Sequence, residues 1–279
     1  MAETAFQTQY RQEFVAGFED TQSRLRTACV TEAVVKGTTA TFLVADSGSA
    51  TATTRGVNGL IPARADDLTQ TSATIAEWHD LVRKTNFNIF GSQGNQRQIM
   101  QMTSMGVVNR KIDDDIITQL DTATNDTGAY AQASLAMVVK AKVILGVNFV
   151  PTEEADNMFA VVTPAFMGYL HMVREFGSAE YVDVKPLVGP TRKFLRWMGV
   201  NWIEHPRLTG VDGASEKCYM FHRNAIGHAA DVAGLEAPVG YDEEQAYSWC
   251  RVSIHMGSKL LQNGGVVQMK HDGSDFTAA

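Results

Sequence analysis

An α+β body carrying a long projecting arm is the architecture this sequence predicts, on three observations. The stretch from Asp46 to Ala73 (DSGSATATTRGVNGLIPARADDLTQTSA) is irregular, poor in apolar residues and flanked by strand-like runs. Loops of that length are uncommon inside compact domains and signal function or a linker. Behind it stands one long amphipathic helix, from about Gly94 to Thr122. Beyond residue 130, helices and short strands alternate, and the chain finishes on what reads as a long strand pair. Such an arm can bury its few apolar residues only against another surface, most economically a second copy of the same chain.

Composition narrows the classes. A length of 279 residues suggests about two domains, or one with large excursions. An apolar fraction of 44% and a charged fraction of 20% are ordinary for a globular protein. The net charge of −7 argues against a tight grip on nucleic-acid backbone, which needs concentrated Lys and Arg. Ser134 to Val150 is among the most apolar windows, but it contains Lys140 and Lys142, so no membrane span is expected. The opening MAETAFQTQYRQEF has acids and no apolar run, so no signal peptide is expected. Cys29, Cys218 and Cys250 are few, odd in number and far apart, which fits free thiols in a reducing cytoplasm.

Taken in order, Tyr10, Phe14, Phe18 and Leu25 fall at helical spacing and predict a helix over about 8–26. Thr39 to Val44 alternates in strand fashion, with Gly37 as a candidate bulge. After the arm, Ser72 to Phe90 reads as a returning strand, although AEWHDLVRK would also fit a helical turn. In the long helix, Ile99, Met102, Met105, Val108, Ile112, Ile116 and Leu120 step by three or four along one face. Arg97, Arg110, Lys111, Asp114 and Asp115 occupy the other face. A second helix runs from Ser134 to Leu145 and ends at Gly146, and Asn157 to Val162 is a short buried strand. Thr163-Pro164 starts a third helix striped by Phe166, Leu170, Val173 and Phe176. Trp197 to Ile203 reads as a strand containing a glycine, and Cys218 to Phe221 as another. Cys250, Val252, Ile254 and Met256 alternate with polar residues, and Asn263-Gly264-Gly265 predicts a hairpin into Val266 to Lys270.

Catalytic and metal chemistry find little support. No phosphate-binding glycine motif is present. His222, His228 and Cys218 form a weak cluster without metal-ligand spacing. Asp113, Asp114 and Asp115 splay over different helix faces, which favours a solvated face or salt bridges over a shared ion. Ser47 and Cys250 lack the surroundings of a nucleophile. No cofactor is expected. Phe194, Trp197, Trp202 and Tyr219 could line a pocket, but aromatics at strand spacing are more often core.

At residue level the chain resembles the major capsid proteins of tailed bacteriophages with the Hong Kong 97-type fold. The likeness lies in SRLRTACVTE, in RGVNGLIPARADD at the arm tip and in FNIFGSQGNQRQIMQMTSMGVVNRKID at the start of the long helix. It continues in FAVVTPAFMGYL, MGVNWIEHPRL and CYMFHRNAIGHA. The resemblance implies an α+β phage major-capsid fold with an N-terminal arm (1–30), an extended β-hairpin loop (31–90) and a long spine helix. It places the peripheral domain at 91–132 and 247–279 and the apical domain at 133–246. It implies a subunit that assembles with itself, through pentamers and hexamers, into an icosahedral shell enclosing double-stranded DNA. The shell would be built in the bacterial host cytoplasm, with separate scaffolding, portal and decoration proteins as further partners and no membrane.

Under that resemblance Arg55, Arg64, Asp66 and Asp67 are candidate inter-subunit ion pairs at the arm tip, with Leu60 and Ile61 as apolar anchors. Arg110, Lys111, Asp114 and Asp115 are candidates on the spine helix. No lysine lies between Lys36 and Lys84, so the tip cannot make the lysine cross-link some members form. The acidic balance suits a wall near packaged DNA that does not grip it. One alternative is a small-molecule enzyme or binding protein using Phe194 to Trp202, and a second is another virion subunit of tube or decoration type.

Overall fold

The computed structural model describes residues 22–34, 36–47, 50–64, 68–91, 95–174, 195–232 and 234–276. Most of the predicted first helix, together with Asp66, Asp67, Phe176 and Phe194, lies outside the described residues. Two sheets and one long helix make the body.

The first sheet is built on β11 (Tyr247–Leu260), which is long enough to carry several neighbours. It pairs antiparallel with β10 (Val239–Asp242), β4 (Ala76–Thr85) and β9 (Ile226–Asp231), and β1 (Val30–Val34) adds parallel to β9. The alternating Cys250, Val252, Ile254 and Met256 are buried as expected, and α2 (Gln96–Leu120) packs against this strand. Asn95 caps α2 by accepting a hydrogen bond from the Gln98 amide. The buried ridge of α2 runs Met100, Ser104, Val108, Ile112, Ile116, Leu120, a strict four-residue step. Met105, expected on that face, is exposed instead. Its spacing of three from Met102 and Val108 drifts off the ridge, and small Ser104 and Gly106 take the buried places.

The second sheet runs β12 (Val266–His271), β8 (Glu216–His222), β5 (Met158–Val162), β7 (Val200–Glu204), β6 (Leu195–Trp197). All five residues of β5 are buried, so both faces of this sheet are covered. Helix α3 (Leu135–Val147) packs against β12 and β8. Helix α4 (Pro164–Met172) begins as the sequence predicts: the Thr163 hydroxyl accepts from the Phe166 amide, with proline at the first helical position. The Phe166 ring then stacks on Trp202 and meets His271 edge-on.

Three expectations need correction. Trp197 to Ile203 is not one strand: β6 and β7 form a hairpin in which Trp197 pairs with Val200. Met198 (φ 53°) and Gly199 (φ 71°) both occupy the left-handed region, as a tight two-residue hairpin requires. The Asn263–Gly265 turn is not a hairpin either. It carries the chain out of the first sheet, and β12 pairs with β8. Both edges of β12 are occupied, because Gln268 also exchanges backbone hydrogen bonds with Asn125 and Thr127. Lastly, Ser72 to Phe90 is divided between the end of β3 (Leu68–Thr74), all of β4 and a short helix α1 (Asn86–Gly91). AEWHDLVRK is strand because β11 offers it ten register partners. Sheet pairing also runs across the expected 246/247 boundary, with β9 and β10 on β11 and β12 on β8.

The arm is rooted by a small core of its own. Strands β2 (Thr39–Ala45) and β3 pair antiparallel, burying Ala40, Phe42 and Ala73 with Ala229. Two glycines of the first sheet make room for this root. A Cβ on Gly227 would lie 2.7 Å from the Phe42 ring, and one on Gly257 would lie 2.1 Å from the Thr74 carbonyl oxygen. Gly227→Ala and Gly257→Ala should each destabilise the isolated subunit by about 1–3 kcal/mol, the usual cost of overpacking. Thermal unfolding midpoints check this, and unchanged midpoints would show that the arm root is not tightly seated.

Candidate inter-subunit interface

Between the two sheets sits a carboxylate that holds separate parts of the chain together. Asp113 of α2 is buried and accepts from the Ser23 hydroxyl (2.5 Å), the Arg24 amide (3.0 Å) and the Leu25 amide (3.1 Å). His205 Nε2 lies 3.3 Å away. The Arg207 amide donates to His205 Nδ1, which leaves Nε2 to carry the proton and donate to Asp113. Burial pushes the Asp113 carboxyl up, but hydrogen bonds from His205, Ser23, Arg24 and Leu25 outweigh it and hold the carboxyl below its ordinary value.

The neighbouring acids of α2 serve the same subunit. Asp114 takes both guanidinium contacts of Arg207, at 3.1 and 2.7 Å. Asp121, at the helix end, accepts from Thr209 (2.5 Å), Tyr219 (2.6 Å) and Lys217 (3.0 Å). Lys111 places its ammonium 4.0 Å from the Trp78 ring centroid. Asp115 is half-buried and bonded to Ser258, and burial raises its carboxyl. Of the spine-helix candidates, then, Lys111, Asp114 and Asp115 make contacts within their own subunit, and Arg110 is half-buried.

The arm tip is the opposite case. Leu60 is 74% exposed, Ile61 64%, and Val57 is fully exposed. The tip is shaped by a backbone loop in which the Gly56 amide bonds the Leu60 carbonyl and the Gly59 amide the Gly56 carbonyl. Gly59 has φ 72°, which favours glycine there. Arg55 and Arg64 are exposed on either side. The structure thus brings Arg55, Leu60, Ile61 and Arg64 together on one projection, away from both cores.

The rival sites dissolve into structure. Trp197 and Trp202 are buried, and the Trp202 indole donates to the Trp197 carbonyl. His222 approaches Glu154, His228 bonds Ser258, and Cys218 lies against Thr163, so the three do not converge. Among the described residues, no three His, Cys, Asp or Glu side chains are placed to hold a metal ion. Among them too, no helix is long and apolar enough to cross a membrane. All three cysteines are free and buried, and burial pushes the Cys29 and Cys218 thiols up to about 12.

Sequence reasoning missed Asp113 by assigning Asp113 to Asp115 to a solvated face or to inter-subunit salt bridges with Arg110 or Lys111. The signal was available: Asp113 precedes Ile116, Ile117 and Leu120 by three, four and seven residues, and so lies on the apolar stripe.

Comparison with known proteins gives a consistent result. A family model described as phage capsid protein matches residues 2–273. No curated protein sequence matches the chain. A structure from Mycobacterium phage Che8 is similar with a TM-score of 0.72 at 13% identity, over 96% of this chain and 98% of that one. The capsid of a native GTA particle gives 0.71 at 13% identity, over 97% and 96%. The capsid of Ralstonia phage GP4 gives 0.69 at 12%, over 99% and 98%. At such low identity these structures establish the fold.

Asp113→Ala should lower the unfolding free energy of the subunit by at least about 3 kcal/mol, since it strands several buried donors. The pH dependence follows from the depressed carboxyl. Its stabilisation is full above the unfolded value near 4 and is lost as pH falls through the lower folded value. Urea titrations at neutral pH and at pH 3 check both points, and an unchanged acid limb in Asp113→Ala would refute the assignment.

Proposed function

Because the chain belongs to the phage capsid protein family, we propose that its arm ties each subunit to the next within pentamers and hexamers of an icosahedral shell. The protein is a major capsid protein, a structural component of the virion that builds the phage shell. The observation that carries the proposal is the exposed apolar tip, Val57, Leu60 and Ile61, on an arm whose root alone is packed. Burying one such side chain is worth roughly 1.5–3 kcal/mol. Three of them, repeated in every subunit, are enough to bias a closed lattice. Arg55 and Arg64, with Asp66 and Asp67 beside them in sequence, are charges that select the docking partner more than they strengthen it.

The division into N-terminal arm (1–30), extended loop (31–90), peripheral domain (91–132 and 247–279) and apical domain (133–246) is part of the same proposal. Sheet pairing supports a tighter join between peripheral and apical parts than separate domains have, since β9, β10 and β12 cross between them. Assembly in the host cytoplasm, with separate scaffolding, portal and decoration proteins, completes the reading. A net charge of −7 supports a wall that lets packaged DNA move.

Deleting residues 49–66 should leave a folded subunit that forms no stable shells. Negative-stain electron microscopy with light-scattering mass reads the result, and normal shells from the deletion would overturn the role given to the arm.

A further inference from the structure

Helix α3 carries a face on which several apolar residues are exposed among the described residues. Its sequence, LAMVVKAKVILGV, has only two polar residues, Lys140 and Lys142. Both bend onto backbone carbonyls of the same subunit: Lys140 Nζ donates to Thr127 at 2.7 Å and Lys142 Nζ to Met198 at 2.9 Å. Ala136, Val139, Val143, Gly146 and Val147 then form one exposed stripe, at steps of three and four. The stripe continues into Phe149, which is 85% exposed and held at φ 59°, a conformation unfavourable for a bulky side chain. A helix that is apolar all round belongs in an interior, and contiguous exposed apolar surface marks an interaction site.

Resting on the shell reading above, we infer that this stripe is the seat for the arm tip of a second copy of the chain. Three observations support that occupant. The tip offers Val57, Leu60 and Ile61 between Arg55 and Arg64, while the turn after the stripe carries exposed Glu153 and Glu154, the nearby Asp156 being paired with Arg196. Apolar surface therefore meets apolar surface, and positive flanks meet a negative one. The arm and the stripe also lie on the same side of the subunit. Val44, Asp46 and Thr69 of the arm share a cavity of about 390 Å³ with Phe149 and Val150. Finally, the seven-residue strands β2 and β3 extend about 23 Å at 3.3 Å per residue before the tip loop begins. The exposed tip segment, 50–64, continues beyond their far ends.

Assembled particles test this. In a Leu60→Cys/Val143→Cys double variant the new thiols are the accessible ones, since Cys29, Cys218 and Cys250 are buried. A short bismaleimide should give a ladder of covalent multimers up to five or six on a denaturing gel, and neither single variant should. Intact particles of the double variant without a ladder would overturn the seat. Dimers from Val143→Cys alone would do so too, because α3 would then be meeting α3. Hydroxyl-radical footprinting of the unaltered chain gives a second reading: Val147, Phe149, Leu60 and Ile61 should lose most of their labelling on assembly. Labelling of Val147 and Phe149 that persists in closed particles would refute the seat, whatever covers the tip. A chain that never forms rings or shells would instead defeat the shell reading itself, and the seat with it.

Discussion

One buried carboxylate sets the frame for this subunit. Asp113 stands near the middle of the long helix and receives hydrogen bonds from Ser23, Arg24, Leu25 and His205. Those partners come from the segment that leads into β1 and from the exit of β7, so the carboxylate joins elements from both sheets to the helix between them. A buried charge is costly unless its lone pairs are filled. Here the donors fill them, and the carboxyl titrates lower for it. Asp114 with Arg207, and Asp121 with Thr209, Lys217 and Tyr219, repeat the device along the same helix. The spine is therefore fastened to its subunit by its acids as well as by its apolar ridge.

That rigidity gives the arm its use. A projecting hairpin transmits force between subunits only if its root cannot swing. The root is clamped where the Phe42 ring lies on Gly227 and the Thr74 carbonyl on Gly257, approaches too close for a Cβ at either glycine. Beyond Ala45, among the described residues, the tip displays the apolar side chains Val57, Leu60 and Ile61 to solvent. A soluble monomer gains nothing from that arrangement. A shell subunit gains a contact completed only on assembly, so the lattice and not the monomer carries the stabilisation.

The outer stripe of α3 fits the same logic. Its two lysines are both engaged with carbonyl oxygens of the same subunit, at Thr127 and Met198. Interfaces of assembled proteins combine an apolar centre with a charged rim. Val143 and Val147 beside Glu153 and Glu154 offer that on one side, and Leu60 and Ile61 beside Arg55 and Arg64 on the other.

Much of this was legible in the residues. Alternation gave β2 and β11, Thr163-Pro164 gave the start of α4, and the poverty of apolar residues between Asp46 and Ala73 gave the arm, because these are local patterns that a two- or 3.6-residue period betrays. Partnership was not legible. Asn263-Gly264-Gly265 looks like a hairpin, but whether β12 returns to β11 or crosses to β8 depends on which free edge lies within reach after folding. Met198-Gly199 looked like an irregularity in one strand and is a turn between two, for the same reason. Asp113 looked solvated or salt-bridged beside Asp114 and Asp115, yet donors 88 to 92 residues away in sequence decide that it is buried. Sequence by itself determined the long helix, the start of α4, strands such as β2 and β11 and the irregular arm, since propensity and patterning act over a few residues. Only the tertiary structure decided strand partners, buried charges and the exposed face of α3, since these depend on long-range contacts that exist only once the chain has closed.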